Sequence, residues 1–220
     1  RWEELQLYDY LTKKEIGKHF GEIWLNTLSF FDIKNPLKKY DIFLSNIEEN
    51  RAKDFVKLIK SKLKIGINLE GSFKEKQIQS KDLKKICLSL KEKFSDITIV
   101  ILSHPNRREK TKRIIAEIDL ENVIISYETK NILDVAALIN ELDFIISPDT
   151  SIVHIASAFN KPILSIHENN ELSYQLWKPT SSISKTIFSK SKYGIIDYKV
   201  NEVIDLSFEI IEKIKEKIWE

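Results

Sequence analysis

A cluster of carboxylate, hydroxyl and imidazole side chains interrupts the apolar C-terminal half of this 220-residue sequence. Asp149, Thr150 and Ser151 follow the apolar run 144–146, and His154 comes three residues later. Three successive capping side chains predict the start of a helix, where free backbone N–H groups and the helix dipole favour an anion. The residues that follow are apolar at nearly every position, which predicts a buried helix. We therefore predict a phosphate-type anion site at this helix N-terminus.

Each of these residues also has a purely structural interpretation. Asp149, Thr150 and Ser151 could act only as helix caps, and His154 could be a packed core histidine. Their joint position favours a ligand site, because a predicted strand ends directly before them. Open α/β sheets bind ligands at the carboxyl ends of their strands.

Short apolar strands and amphipathic helices alternate from residue 63 onward. Strand patterns cover residues 64–69, 98–102, 123–126, 144–146 and 163–166, and helical periodicity covers residues 80–94, 109–118, 132–142 and 202–219. This alternation predicts an α/β fold, a Rossmann-like doubly wound parallel sheet. The hydroxyl-rich residues 180–191 are predicted to form an exposed stretch.

Residues 1–62 follow a different pattern from the rest of the chain. Two amphipathic helices are predicted over residues 15–31 and 48–62, with a break at Asn35-Pro36 and no strand–helix–strand repeat. We therefore predict a boundary at residue 62, between a mostly helical segment and an α/β domain over residues 63–220. The sequence contains no methionine, and we expect it to be a fragment of a longer protein.

The amino-acid composition gives no indication of a nucleic-acid-binding, membrane-spanning, disulfide-bonded or metal-binding protein. The net charge of +2, from 35 basic and 33 acidic residues, gives no indication of a nucleic-acid partner. No apolar run approaches the ~20 residues that a membrane-spanning helix needs. The single cysteine, Cys87, cannot form an internal disulfide and is compatible with a reducing compartment. No Cys/His cluster or HExxH-like pair is present, so no dedicated metal site is expected.

The segment SPDTSIVHIASAFNKP, residues 147–162, resembles the motif of the family 9 glycosyltransferases, the lipopolysaccharide heptosyltransferases. That motif contains Asp-Ser/Thr-Gly-x-x-His-x-Ala-Ala-Ala and closes with a proline before the next strand. Asp149, Thr150, His154 and Pro162 match it, whereas Ser151 stands where the family usually has glycine. The agreement in spacing and in strand–turn–helix context makes the resemblance fairly specific.

The resemblance implies the donor-binding half of a two-domain GT-B glycosyltransferase. Residues 1–62 would then be the tail of the N-terminal acceptor domain and the linker, and residues 63–220 the nucleotide-sugar domain. The family transfers heptose from ADP-heptose to the lipopolysaccharide core with inversion, without a metal or other cofactor. It acts at the cytoplasmic face of the inner membrane, and we expect any membrane association to depend on the missing N-terminal domain. Relatives take their catalytic base from that domain, so no catalytic residue is predicted here.

The same resemblance implies further donor-binding residues in two loops. Ser72 and Lys76 follow the strand 64–69 and would contact the diphosphate, for which a lysine supplies a compact positive charge. Glu109 would hold the ribose, since a carboxylate accepts hydrogen bonds from both hydroxyls. Taken alone, Lys76 in so lysine-rich a chain is more typical of a solvated surface charge, and Glu109 is equally consistent with an ordinary carboxylate in the first turn of a helix.

Besides Ser151, two further departures from the family keep other functions open. Ile78-Gln79 replaces a Trp-Pro pair, and residues 167–170 replace a Gly-Pro-Thr loop near the donor sugar. One alternative is therefore a nucleotide-binding module without transferase activity. Another is a GT-B sugar-nucleotide epimerase, which would require a second set of acidic and histidine residues facing the crevice.

Overall fold

The computed structural model describes residues 15–71 and 74–218. Within them, six parallel strands form one sheet in the order β3-β2-β1-β4-β5-β6. The strands are β1 (Leu63–Asn68), β2 (Ile97–Leu102), β3 (Val123–Ile125), β4 (Phe144–Pro148), β5 (Ile163–His167) and β6 (Ser184–Phe188). The chain moves outward from β1 to β3 and then returns to place β4 beside β1, so the strand order reverses there. The predicted Rossmann-like, doubly wound α/β fold is confirmed.

Helices connect the strands and flank the sheet. They are α1 (Phe20–Asn26), α2 (Asn46–Lys57), α3 (Ser80–Lys93), α4 (Arg108–Ile118), α5 (Ile132–Glu141), α6 (Ser151–Ala158), α7 (Glu171–Trp177) and α8 (Val200–Ile218). The helix predicted over residues 15–31 is shorter than expected, because the chain tightens into a 3₁₀ turn over Thr27–Phe31. Sequence reasoning did not predict α7.

Two apolar clusters cover the two faces of the sheet. Alternate side chains of one strand serve the same face, so Ile65 and Ile67 pack with α3 and α8, and the neighbouring Ile145 packs with α5 and α6. Gly66 lies on the α5 side, where an added Cβ would lie 2.7 Å from Leu142 Cδ1. Burial on both faces explains the near-continuous apolar runs of these strands.

The edge strand β6 corrects the prediction of an exposed stretch over residues 180–191. Ser184–Phe188 pairs in parallel with β5, and Ser181, Ile187 and Ser189 are buried. Hydroxyl side chains concealed the strand, because they break the apolar pattern on which a strand prediction depends. No helix in the described part of the chain is long and apolar enough to cross a membrane.

The described residues divide into two compact units. One contains the residues up to Tyr40 together with Asn170–Lys178, and the other contains the sheet, over Asp41–Asn169 and Pro179–Glu220. Helix α2 belongs to the unit that contains the sheet and packs against α5 through Phe55 and Val56. The domain boundary at residue 62 stays a prediction. The assignment of residues 1–62 to an acceptor domain and linker concerns a longer protein and stays a prediction.

Candidate functional site

The carboxyl ends of β1 and β4 are joined by a buried amide. Asn68, the last residue of β1, donates from Nδ2 to Ser147 Oγ at 3.1 Å and to Thr150 Oγ1 at 3.3 Å. The same group donates to the Glu70 carbonyl at 2.9 Å. The loop after β1 is thereby fixed to the turn after β4, at the point where the strand order reverses. Doubly wound sheets bind their ligands at this point.

Helix α6 begins in that turn, and Thr150 is its N-cap. The Thr150 side chain accepts a hydrogen bond from Ile152 N at 3.3 Å. Asp149 does not cap the helix. Its backbone N–H donates to the Ile166 carbonyl at 2.9 Å, and its carboxylate accepts a hydrogen bond from Lys76. The prediction of a helix start at these residues is confirmed, and the anion site at that start stays a prediction.

Lys76 lies between two carboxylates beside this helix start. Its Nζ is 3.4 Å from Asp149 Oδ2 and 3.5 Å from Glu168 Oε2, and all three side chains are only 13–16% exposed. Lys76 is therefore not the solvated surface charge that the lysine-rich composition allowed. Its single positive charge is shared by two negative charges in a half-buried environment.

Two glycines allow the Lys76 loop to fold closely. A Cβ on Gly71 would collide with the carbonyl oxygen of Lys76. Gly194 has φ +78°, and a Cβ there would lie 2.7 Å from the Glu75 carbonyl oxygen, to which Ile195 N donates at 2.8 Å. The turn Lys74–Lys76 is thus held from both sides.

Two histidines face the same carboxylate. His167, at the end of β5, is 2% exposed, and its Nδ1 lies 3.9 Å from Asp149 Oδ2. Burial lowers the pKa of His167; Asp149 acts in the opposite direction, and Lys76 adds to the lowering. Burial also lowers the pKa of His154 on α6, again opposed by Asp149. Both imidazoles therefore favour the neutral form near pH 7 in the ligand-free protein.

A cleft of about 800 Å³ opens beside this cluster. Its walls come from the ends of β1, β2, β3 and β4, and its lining includes Asn68, Glu70, Gly71, Ser103, His104, Arg107, Ser126, Thr129, Lys130, Ile132, Val135, Thr150, Ser151 and Ile152. This size is typical of small-molecule sites, as is the mixture of apolar side chains with a few polar groups. The cleft could hold a nucleoside next to the start of α6.

The wall above β2 is a loop held by hydrogen bonds and an ion pair. Arg108 donates to the Ser126 carbonyl at 2.7 Å, and His104 caps the turn Pro105–Arg107 by accepting from Asn106 N. Arg107 Nη1 lies 3.5 Å from Glu70 Oε1, so an ion pair joins the loops after β1 and β2. Glu70 thereby presents a carboxylate to the cleft.

The opposite wall is the start of α5. Asn131 is the N-cap of α5, and the buried Asp134 accepts from Lys130 N at 2.6 Å. Arg51 of α2 donates to both carboxylate oxygens of Asp134 at 2.8 and 2.9 Å, and Tyr127 donates to the Asp134 carbonyl. These contacts fix the position of residues 129–131, which line the cleft.

The predicted site residues separate into three groups. Lys76, Asp149 and His154 lie together, and Thr150 and Ser151 line the adjoining cleft. Ser72 lies outside the described residues. Glu109 is 75% exposed, bonds Lys112 at 2.7 Å, and is not among the described residues that line the cleft. The Lys112 partner lowers the pKa of the Glu109 carboxyl, as for an ordinary pair on a helix surface.

Sequence reasoning missed four polar residues of this region: Asn68, Glu70, His167 and Glu168. The sequence carries a signal for each of them, since Asn68 and His167 end apolar strands and Glu70 and Glu168 come directly after apolar runs. The pairing of Glu70 with Arg107 has no such signal in the sequence. Among the described residues, no group of three or more His, Cys, Asp or Glu side chains is arranged to hold a metal ion.

Comparison with known proteins identifies the family and the fold of this chain. The family model described as glycosyltransferase family 9 (heptosyltransferase) matches residues 12–195. A curated relative from Escherichia coli (strain K12), named "Putative lipopolysaccharide heptosyltransferase 4", is 28% identical over 158 residues. That alignment covers 68% of this chain and 40% of the relative.

Three similar solved structures share the fold. The glycosyl transferase family 9 protein from Veillonella parvula DSM 2008 gives a TM-score of 0.76 at 13% identity, over 93% of this chain and 62% of that one. The ADP-heptose lps heptosyltransferase II of E. coli gives 0.66 at 16% identity, over 84% and 57%. E. coli heptosyltransferase WaaC with ADP gives 0.63 at 16% identity, over 91% and 60%.

The identity and the coverage of these matches determine what each of them establishes. At 13–16% identity the structural likeness concerns the fold alone, and the chain spans 40% of the curated relative's length and 57–62% of the three solved chains. The family model, by contrast, covers most of the sequence, including the Asp149–His154 region and the Lys76 loop. The chain therefore belongs to glycosyltransferase family 9, the heptosyltransferase family.

Proposed function

We propose that this chain is the donor-binding part of an inverting glycosyltransferase and holds a nucleoside diphosphate sugar. The observation that carries the proposal is the position of Lys76 beside the start of α6, at the reversal of strand order and next to the cleft. Lys76 and the N-terminal N–H groups of α6 supply positive charge from two directions. The diphosphate occupies the space between them.

The remaining parts of the donor follow from this placement. The nucleoside lies in the cleft between the loop after β2 and the start of α5. We transfer the ribose role from Glu109 to Glu70, because Glu70 lines the cleft whereas Glu109 is exposed and paired with Lys112. Arg107 orients the Glu70 carboxylate, and Ser72 remains a proposed diphosphate contact.

Asp149 has a positioning role in this proposal. A carboxylate does not bind a diphosphate directly, because the two like charges repel. Its contacts are with Lys76 and His167, so Asp149 orients the cation that meets the phosphates. His154 supports the same site from the first turns of α6.

ADP-heptose is the donor that we propose. The support comes from the family, whose description names heptosyltransferases, and from E. coli structures of the same fold that are named with ADP and with ADP-2-deoxy-2-fluoro heptose. The proposed acceptor is the lipopolysaccharide core or a related glycan, as the name of the curated relative suggests. Such an acceptor would place the reaction at the cytoplasmic face of the inner membrane.

Stabilisation of the leaving group is the catalytic contribution proposed for this chain. An acceptor hydroxyl attacks the anomeric carbon opposite to the diphosphate, the carbon–oxygen bond to phosphate breaks, and its electron pair passes to the phosphate oxygen. Lys76 and the α6 N-terminus stabilise the negative charge that develops there. The proposal requires no metal or cofactor for this step, and it takes the general base from outside this chain.

Calorimetric titration with ADP, GDP and UDP tests the proposal. Lys76→Ala should weaken ADP binding by roughly 10- to 100-fold, because a charge-assisted contact is lost. Lys74→Ala is the matched control, since Lys74 lies in the same turn and is exposed. Equal affinities of the two variants and the wild type would overturn the diphosphate site.

The same titrations test the identity of the donor, because preference for GDP or UDP would exclude ADP-heptose. Transfer activity in the full-length protein would separate a transferase from a non-catalytic module.

A further inference from the structure

The end of β5 differs chemically from the rest of the site. Glu168 directly follows β5, and its Oε2 lies 3.5 Å from Lys76 Nζ. The same oxygen accepts a hydrogen bond from Gly194 N at 3.3 Å. The Glu168 side chain is only 16% exposed, so its carboxylate is held in place by a cation and a backbone donor.

The charges of this region do not balance. Lys76 contributes one positive charge, and Asp149 and Glu168 contribute two negative charges around it. His167 adds none in its neutral form, which burial favours. The region beyond Lys76 therefore carries a net negative charge in a half-buried setting, where charges are screened less than at the surface.

The sheet order indicates which part of a donor would meet this region. The cleft lies over the ends of β3, β2, β1 and β4, and the proposed diphosphate site lies where β1 meets β4. A nucleoside diphosphate sugar that runs along this edge places its sugar on the side of the next strand, β5. Glu168 and His167 are the polar residues at the end of that strand.

We infer that Glu168 determines donor specificity by selecting a neutral, hydroxyl-bearing sugar and rejecting a sugar that carries a carboxylate. This inference rests on the proposed function. Hydroxyl groups of a neutral sugar donate to the Glu168 carboxylate, which accepts from several directions. A uronic acid brings a further negative charge to a region that is already negative, and like charges placed together in a binding site discriminate strongly.

Glu168 also competes with the diphosphate for Lys76. Removing its charge leaves the Lys76 ammonium with one carboxylate partner instead of two, so more of its positive charge is available to phosphate. Glu168→Gln should therefore bind ADP more tightly than the wild type while it discriminates less between sugars. A residue with only a structural role would not produce these opposite changes.

The test compares ADP-glucose with ADP-glucuronate, which differ only at C6, with ADP as the reference ligand. The wild type should bind ADP-glucose on the order of tenfold more tightly than ADP-glucuronate. Glu168→Gln should lower this ratio of the two affinities to about one third of the wild-type value or less. Glu168→Asp, which keeps the charge, should preserve most of the wild-type ratio. Glu171→Gln is the matched control, because Glu171 is exposed and bonds only Gln175 among the contacts described.

The outcomes separate this inference from the proposed function. A wild-type ratio near one overturns the inference whatever the variants do, and so does a ratio that Glu168→Gln leaves unchanged. If the wild type binds ADP but has equal affinities for ADP-glucose and ADP-glucuronate, the proposed function stands and the specificity role of Glu168 is overturned. If the wild type binds none of the three ligands, the proposed donor site itself is overturned. Thermal unfolding of each variant identifies those that do not fold.

Discussion

The two halves of the sheet are built from different residues. In β1 and β2, both fully described, the buried side chains are apolar except for Asn68 at the end of β1. Strands β4 and β5 instead bury Ser147, Ser165 and His167 within otherwise apolar runs. Ser165 also bonds Thr186 of β6 at 3.0 Å, so the hydroxyl pattern continues to the sheet edge.

The residues beyond the strand ends also differ between the two halves, and the more strongly charged group lies over β4 and β5. Most of the cleft lining follows β1, β2 and β3, and it consists largely of apolar, hydroxyl and amide groups, with the ion pair of Glu70 and Arg107 at its rim. Over β4 and β5 lie Lys76, Asp149 and Glu168 in close contact. This difference supports our proposal that the nucleoside lies over one half of the sheet and the phosphates and sugar over the other.

The largest expected effect concerns the loop that joins the two halves. Gly71→Ala should weaken ADP binding by roughly 10- to 100-fold, because its Cβ collides with the Lys76 backbone and displaces the lysine. Gly66→Ala is the comparison variant, because the added Cβ would collide with Leu142 and Ile145 in the core. This substitution should lower the free energy of unfolding by about 1–3 kcal/mol. Calorimetry and thermal unfolding measure both quantities. Equal losses of binding in the two variants would show that Gly71 acts through stability alone.

A smaller effect should distinguish the two candidate ribose carboxylates. Glu70→Gln should weaken ADP binding by about 3- to 10-fold, since one charge-assisted hydrogen bond becomes a neutral one. The loss should shrink for 2′,3′-dideoxy-ADP, which lacks the hydroxyls. Glu109→Gln should leave both affinities unchanged. The opposite result, with Glu109 sensitive and Glu70 insensitive, would restore the ribose role that the resemblance implied for Glu109.

The smallest expected effect is a pH dependence confined to the charged half. A bound diphosphate favours protonated His154 and His167, so donor binding should take up protons and strengthen about two- to fivefold from pH 8 to pH 6. ADP-glucose is the suitable ligand, because both ends of its diphosphate are esterified and do not titrate in this range. Calorimetry in buffers of different ionisation enthalpy measures the uptake. Proton release on binding would contradict the assignment.

The same histidines should affect the ligand-free protein in the opposite direction. Their pKa values are lower in the folded protein than the ordinary value near 6.5. The unfolded chain therefore binds more protons as the pH falls below about 6.5, and the free energy of unfolding decreases there. Above that pH both states hold neutral imidazoles and this contribution is constant. Chemical denaturation at pH 7.5 and pH 5.5 measures the change.

Sequence reasoning reached most of the fold because burial on both faces leaves a clear pattern. The runs over residues 64–69, 98–102 and 144–146 are largely apolar and bounded by polar turns, so the strands β1, β2 and β4 were predicted correctly to within two residues at each end. Strand β6 was not, because Ser184, Lys185 and Thr186 hide the pattern. An edge strand needs only one protected side, and its sequence is correspondingly less constrained.

The candidate site was predictable only where its residues are close in sequence. Asp149, Thr150 and Ser151 form one turn, so their spacing indicated a helix start. The partners of Lys76 come from segments far from it in sequence, at Asp149 and Glu168, and only the strand order brings them together. The position of the Glu109 side chain was not predictable for a related reason. Its place in the motif gave no information on whether the side chain faces the cleft or, as observed, Lys112.

A crystal structure of this chain with ADP tests the central claim most directly. We predict that the β-phosphate lies between Lys76 Nζ and the backbone N–H of Ser151, with adenosine in the cleft beside Glu70. Lys76 should then have exchanged Glu168 for phosphate oxygen. A diphosphate bound elsewhere, with the contacts of Lys76 to Asp149 and Glu168 unchanged, would contradict the account.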